Sequence, residues 1–135
     1  PNVSTCSSIW LDVPEDRRVY SSVFSRVGES LAHNISGLDS KTAWSAAGEQ
    51  AGEYMIMDIG AVGWVAGLIT RPRADMRWEY VRGFKIQISN DGSTYAVAFD
   101  LLFGLKPGED ESIVKFPTAV EARFVKVVVH VWEHW

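Results

Sequence analysis

One short polar stretch, residues 71–79 (RPRADMRWE), gathers Arg71, Arg73 and Arg77 with Asp75, Met76, Trp78 and Glu79. Arginine forks match carboxylates, phosphates and sugar hydroxyls with several donors each. A tryptophan ring can stack on the apolar face of a sugar, pack on a protein or settle at a lipid interface. Met76 adds adaptable apolar contact. These residue types make the stretch a candidate recognition loop. The same residues also admit an internal arrangement. Arg71 or Arg73 could pair with Asp75 or Glu79, and Trp78 could fold back on Tyr80.

Catalytic chemistry finds less to work with. The three histidines are His33, His130 and His134. His130 and His134 flank Glu133, but His130 and Glu133 would face opposite sides of a strand. No His-x-x-x-His on a helix and no cysteine partner supports a metal there. A Gly-x-Ser-x-Gly elbow and a Gly-rich phosphate loop are both absent from the sequence. Seventeen scattered acids single out no carboxylate pair for glycoside hydrolysis. The expectation is a binding module rather than an enzyme.

The loop needs elements to hold it. Apolar segments at 65–70 and 84–89 bracket it, and Asn90-Asp91-Gly92 then supplies residues able to adopt positive φ in a turn. Further strand signals fall at 19–24 (VYSSVF), 54–59 (YMIMDI), 95–103, 113–116 and 124–131 (FVKVVVHV). A helical turn is conceivable only at 29–35. The acidic run Glu109-Asp110-Glu111 reads as a solvated loop. Short strands at regular spacing, without a long amphipathic helix, predict an all-β sandwich or barrel.

The chain has 135 residues, 47% of them hydrophobic, which suits one domain spanning 1–135 with a single core. A net charge of -4 argues against nucleic acid as a partner. No run of 18 apolar residues occurs, so no transmembrane segment is expected. Cys6 is the one cysteine and has no mate within the chain. Asn2 and Asn34 each open a glycosylation sequon, meaningful only if the protein is secreted.

From about residue 19 onward the ordered motifs resemble the discoidin domain, also called coagulation factor V/VIII type C, and its sugar-binding bacterial relatives. The resemblance rests on Asp39-Ser40-Lys41-Thr42-Ala43-Trp44, then Tyr54 leading to Asp58-Ile59-Gly60. It continues through Thr70, Arg73 and Tyr80-Val81-Arg82-Gly83-Phe84-Lys85. Ser89-Asn90-Asp91-Gly92 with Tyr95 follows, and Ala122-Arg123-Phe124-Val125 with Trp132 and His134 completes it. It implies an eight-stranded antiparallel jelly-roll sandwich (galactose-binding domain-like), with the last strand past Trp135, replaced or missing. It also implies ligand contacts on loops at one end.

On that resemblance Arg73 matches a loop arginine of the family, and Trp78 sits in a one-residue insertion. Residues 24–34 become a second ligand loop through Phe24, Arg26, His33 and Asn34, since His, Arg and Asn hold galactose in the sugar-binding relatives. Trp44, Tyr54, Tyr80, Phe124 and Trp132 are assigned to the core, while Trp10, Trp64 and Trp135 have no assigned role. The implied ligand is a galactose-type glycan or an anionic phospholipid surface. The alternative is an intracellular adaptor that binds protein. The family's compartment is extracellular or cell-surface, and the sequence leaves an intracellular one open. No cofactor is expected beyond a structural calcium, for which Asp39 is the one matching acid and Gly37 stands in the other acid's place. Many members tie their first and last strands by a disulfide, and Cys6 stands where the first half would be.

Overall fold

The computed structural model describes residues 9–28, 33–48 and 50–133. Cys6, the Asn2 sequon, most of the 29–35 stretch, His134 and Trp135 lie outside them. Among the described residues, five strands follow a short 3-10 turn (Glu15–Arg17): β1 (Arg18–Tyr20), β2 (Tyr54–Thr70), β3 (Tyr80–Ser89), β4 (Ala96–Phe103) and β5 (Ser112–Glu133). They form one antiparallel sheet in the order β1-β2-β5-β3-β4.

The all-β, antiparallel expectation holds, but several segments expected as separate strands run together. The segments at 54–59 and 65–70 are one strand, and so are 113–116 and 124–131. Pro117 does not break β5. It lies where the pairing register skips, between Lys115↔Gly67 and Val120↔Val65, so no ladder bond needs its missing N–H. The strand expected at 19–24 is shorter, Arg18–Tyr20.

β2 and β5 are long because they fold over. Val114 and Phe116 in the first half of β5 share a core with Val125 and Val127 in its second half, around Phe84 and Ile86. One continuous sheet thus becomes two layers. Phe99 on β4 meets Phe116 across the core, ring centroids 4.8 Å apart. At the fold-over the chains run very close. A Cβ on Gly67 would stand 2.4 Å from the Val114 carbonyl oxygen, so no other residue fits without a shift. The turn at 89–94 behaves as its sequence predicts, with Gly92 at φ +78°. Its backbone amides at Ser93 and Thr94 donate to the Asp91 carboxylate.

The outward face of the broader layer carries a row of directly paired residues, Val19, Ile56, Lys126, Gln87 and Val97. The Lys126 ammonium lies 4.1 Å from the Tyr54 ring centroid and 5.1 Å from that of Tyr95. Tyr54 and Phe124, expected as core, are half-buried, with Lys126 over one and the Arg123 guanidinium over the other. Tyr80 and Trp132 are half-buried too, and Trp44 stacks on Tyr20 at 5.4 Å. Trp10 and Trp64 are exposed. Buried Glu53 accepts hydrogen bonds from the Ser21 and Ser22 hydroxyls, fixing that segment to the start of β2.

Candidate functional site

Strand register decides what the loops can reach. Thr70, the last residue of β2, pairs with Ser112, the first of β5. The loop 71–79 leaving β2 therefore starts beside the loop 104–111 entering β5. Arg71 meets Glu111 at once, with Nε and Nη2 both 2.9 Å from Oε1. It also donates to the Asp39 carboxylate at 3.2 Å and the Leu38 carbonyl at 3.3 Å. Arg77 pairs with Asp110. Two acids of the run expected as a solvated loop, Asp110 and Glu111, are thus counterions for two arginines of the candidate loop, while Glu109 stays exposed.

Arg73 turns inward. Its side chain is 8% exposed and binds Asp75 through two parallel bonds of 2.6 and 2.9 Å. A third bond, 2.8 Å, reaches Glu79. The backbone closes the same loop from Arg73 N to Glu79 O, and a tighter turn runs from Glu79 N to Met76 O. Hydrogen bonds from Arg73 hold the Asp75 carboxyl below its ordinary range against the opposing effect of burial. The nearby charges of Arg73 and His33 add to the lowering. Of the two arrangements open in the sequence, Arg73 adopts the internal one. Trp78 does not fold away, and stays 60% exposed.

The second expected loop is held by bonds of its own. Phe24 N donates to Ser45 O and Ser45 N donates to His33 O, so the 45 backbone bridges the two. Phe24 and His33 meet edge to face, 5.1 Å between centroids. His33 is buried. Phe24 keeps 36% of its surface exposed. Arg26 and Asn34 are exposed, and Met76 is half-buried.

The structure therefore pairs Phe24 with His33 and Arg73 with Asp75 and Glu79, with Met76 and Trp78 on the latter loop. Arg71 and Arg77 instead line a separate cleft of about 470 Å³ with Asp110 and Glu111. Three arginines face five carboxylates: Asp39, Glu111, Asp75, Glu79 and Asp110. Sequence reasoning missed the roles of Asp110 and Glu111. Their partners lie more than 30 residues away, and nothing local in the sequence signals the pairing. On β5, Glu133 is engaged by Arg82.

Among the described residues, no helix is long and apolar enough to cross a membrane. The sequence model for the F5/8 type C domain matches residues 20–135. Comparison with curated proteins returned no match. Several solved structures share the fold at low identity. One is CpGH89CBM32-5 from Clostridium perfringens, in complex with GalNAc-β-1,3-galactose. It has TM-score 0.69 and 14% identity, covering 90% of this chain and 89% of that one. Discoidin II from Dictyostelium discoideum gives 0.66 and 13%, covering 86% and 49%. Chitosan-binding module 2 of a Paenibacillus sp. IK-5 chitosanase/glucanase, in complex with chitotriose, gives 0.58 and 18%, covering 90% and 86%.

Proposed function

The chain belongs to the F5/8 type C domain family, and on that premise we propose that it is a non-catalytic carbohydrate-binding module of the galactose-type class. One observation carries the reading. An oriented carboxylate, Asp75 held by two bonds from buried Arg73, stands on the same short loop as the exposed ring of Trp78. Sugar recognition needs that combination: a ring to stack on and fixed acceptors for hydroxyl groups. Asp75 is the acceptor in this reading, oriented by the guanidinium behind it. Arg73 acts as a positioning residue.

The charge pattern weighs against an anionic phospholipid surface. Every arginine of the loop already faces a carboxylate, so little positive field is left to attract lipid headgroups. The galactose-containing and chitotriose complexes of structurally similar domains support a glycan as the ligand class. A second reading, a protein partner, is favoured by the edge strand β4. Among the described residues no strand pairs with its outer side, and it exposes Val97, Leu101 and Phe103, a surface suited to strand addition.

The test is a glycan array followed by calorimetry with galactose, GalNAc-β-1,3-galactose and chitotriose, using wild type, Trp78→Ala and Phe24→Ala. The expected result is binding to a galactose-type sugar that falls at least tenfold in each variant, an effect of about 1.4 kcal/mol or more, with thermal stability unchanged. Flotation with phosphatidylserine vesicles is expected to recover no protein. Vesicle binding without glycan binding would overturn the reading, and so would sugar binding indifferent to both substitutions.

A further inference from the structure

The loop at 36–39 is where the family resemblance implies a structural calcium, and its donor set does not fit one. Calcium takes six to eight oxygens within bonding reach. Here the loop oxygens already have donors. Arg18, with 6% of its side chain exposed, donates through Nη1 to the Ser36 carbonyl at 3.0 Å and the Ser36 hydroxyl at 2.8 Å. Its Nε reaches the Val13 carbonyl at 2.8 Å, and Nη2 reaches Asp12 at 3.2 Å. Arg71 takes the Leu38 carbonyl and the Asp39 carboxylate, which is itself 97% exposed. A hollow of about 260 Å³ borders the loop and is lined in part by Asp12, Glu15 and Asp39. None of the three carboxylates is idle. Glu15 accepts from the Ser36 and Gly37 amides at 2.7 and 2.8 Å and from the Tyr20 hydroxyl at 2.7 Å. Among the described residues, no group of three acidic, histidine or cysteine side chains is placed to hold a metal.

We infer that two guanidinium groups, Arg18 and Arg71, supply the positive charge that orders this loop, and that the domain folds and works without calcium. A guanidinium suits the task, because its fixed fork of donors reaches several oxygens at once and its charge does not titrate away. Arg18 gathers oxygens from residues 12, 13 and 36, which ties the segment before β1 to the loop. Arg71 carries the same loop to Glu111, just before β5.

The experiment compares thermal unfolding of the wild type in millimolar CaCl₂ and in excess EGTA, with terbium luminescence as a direct probe of lanthanide binding. The expected result is one melting temperature in both buffers and no saturable terbium signal. Arg18→Met is expected to lower that temperature by roughly 10 °C, as loss of several charge-assisted hydrogen bonds from a buried guanidinium does. Calcium should not restore it. An EGTA-induced fall in the wild type, or saturable stoichiometric terbium binding, would overturn the inference. If Arg18→Met yields no folded protein, Arg71→Met replaces it. A melting temperature lowered and not restored by calcium supports the inference, and one left unchanged or restored by calcium overturns it. These readouts do not involve sugar, so they stand or fall separately from the glycan reading.

Discussion

The loop 71–79 and the sheet face around Lys126 both carry positive charge, and they handle it in opposite ways. In the loop each guanidinium is turned to carboxylates of its own chain, two of them drawn from the distant 104–111 loop. On the sheet face the partners of Lys126, among the described residues, are the Tyr54 and Tyr95 rings. The region richest in arginine is therefore electrically closed, while Lys126 on the sheet face is held by weaker ring contacts. What a charge-rich loop offers a ligand depends on whether the fold supplies counterions. In this one, the groups left for a ligand are aromatic rings and an oriented carboxylate.

The sharpest way to break that contrast is Arg73→Ala. If the guanidinium is internal, its loss leaves Asp75 and Glu79 facing each other, partly buried and without a partner. The expected cost is about 2–3 kcal/mol of stability by urea unfolding, below the fully buried case because both acids keep some solvent. A stable Arg73→Ala protein that has only lost sugar binding would instead put the guanidinium in contact with ligand.

Acid titration sharpens the same point with a smaller effect. The folded-state pKa of Asp75 is lowered, chiefly by its hydrogen bonds to Arg73, with burial opposing. A carboxyl depressed in the folded state adds stability that is complete above its unfolded value of about 3.9 and lost as pH falls through the lower folded value. Melting temperature from Asp75 should therefore be flat from neutral pH to roughly pH 5 and fall below about pH 4. In Arg73→Ala the fall should be shallower. An acid limb of equal steepness in both proteins would mean that Arg73 does not set this ionisation.

The smallest expected effects compare the two regions directly. Lys126→Ala should cost roughly 0.5–1 kcal/mol, as cation–ring contacts at partly exposed positions do. Arg77→Ala, which removes an exposed ion pair, should cost less than about 0.5 kcal/mol and lose even that in high salt. A larger loss for Arg77 than for Lys126, measured by chemical unfolding, would reverse the ranking of the two regions.

Much of the scaffold is legible in the sequence. Strand class, the turn at Asn90-Asp91-Gly92 and the order of motifs follow from local patterns: alternation, β-branching and residues suited to positive φ. Strand continuity is not legible there. Gly60–Gly63 and Pro117 look like breaks, yet each lies at a register skip where the opposite strand needs no ladder bond. Phe24, His33 and Trp78 can be nominated by residue type, and the structure brings the Phe24 and His33 rings together. The orientation of Arg73 stays open in the sequence, because its bonding to Asp75 and Glu79 or to a ligand involves the same residues.

By itself, the sequence determined the elements and the inventory of polar groups, since both depend on neighbours a few residues apart. The tertiary structure decided which charges are cancelled. Arg71 finds Glu111, Arg77 finds Asp110 and Arg18 finds Ser36 only because strand pairing places loops 18 to 40 residues apart in the chain side by side. Ion pairing falls off steeply with distance in water, so charge cancellation is set by a few ångströms of three-dimensional proximity, which composition and spacing do not encode.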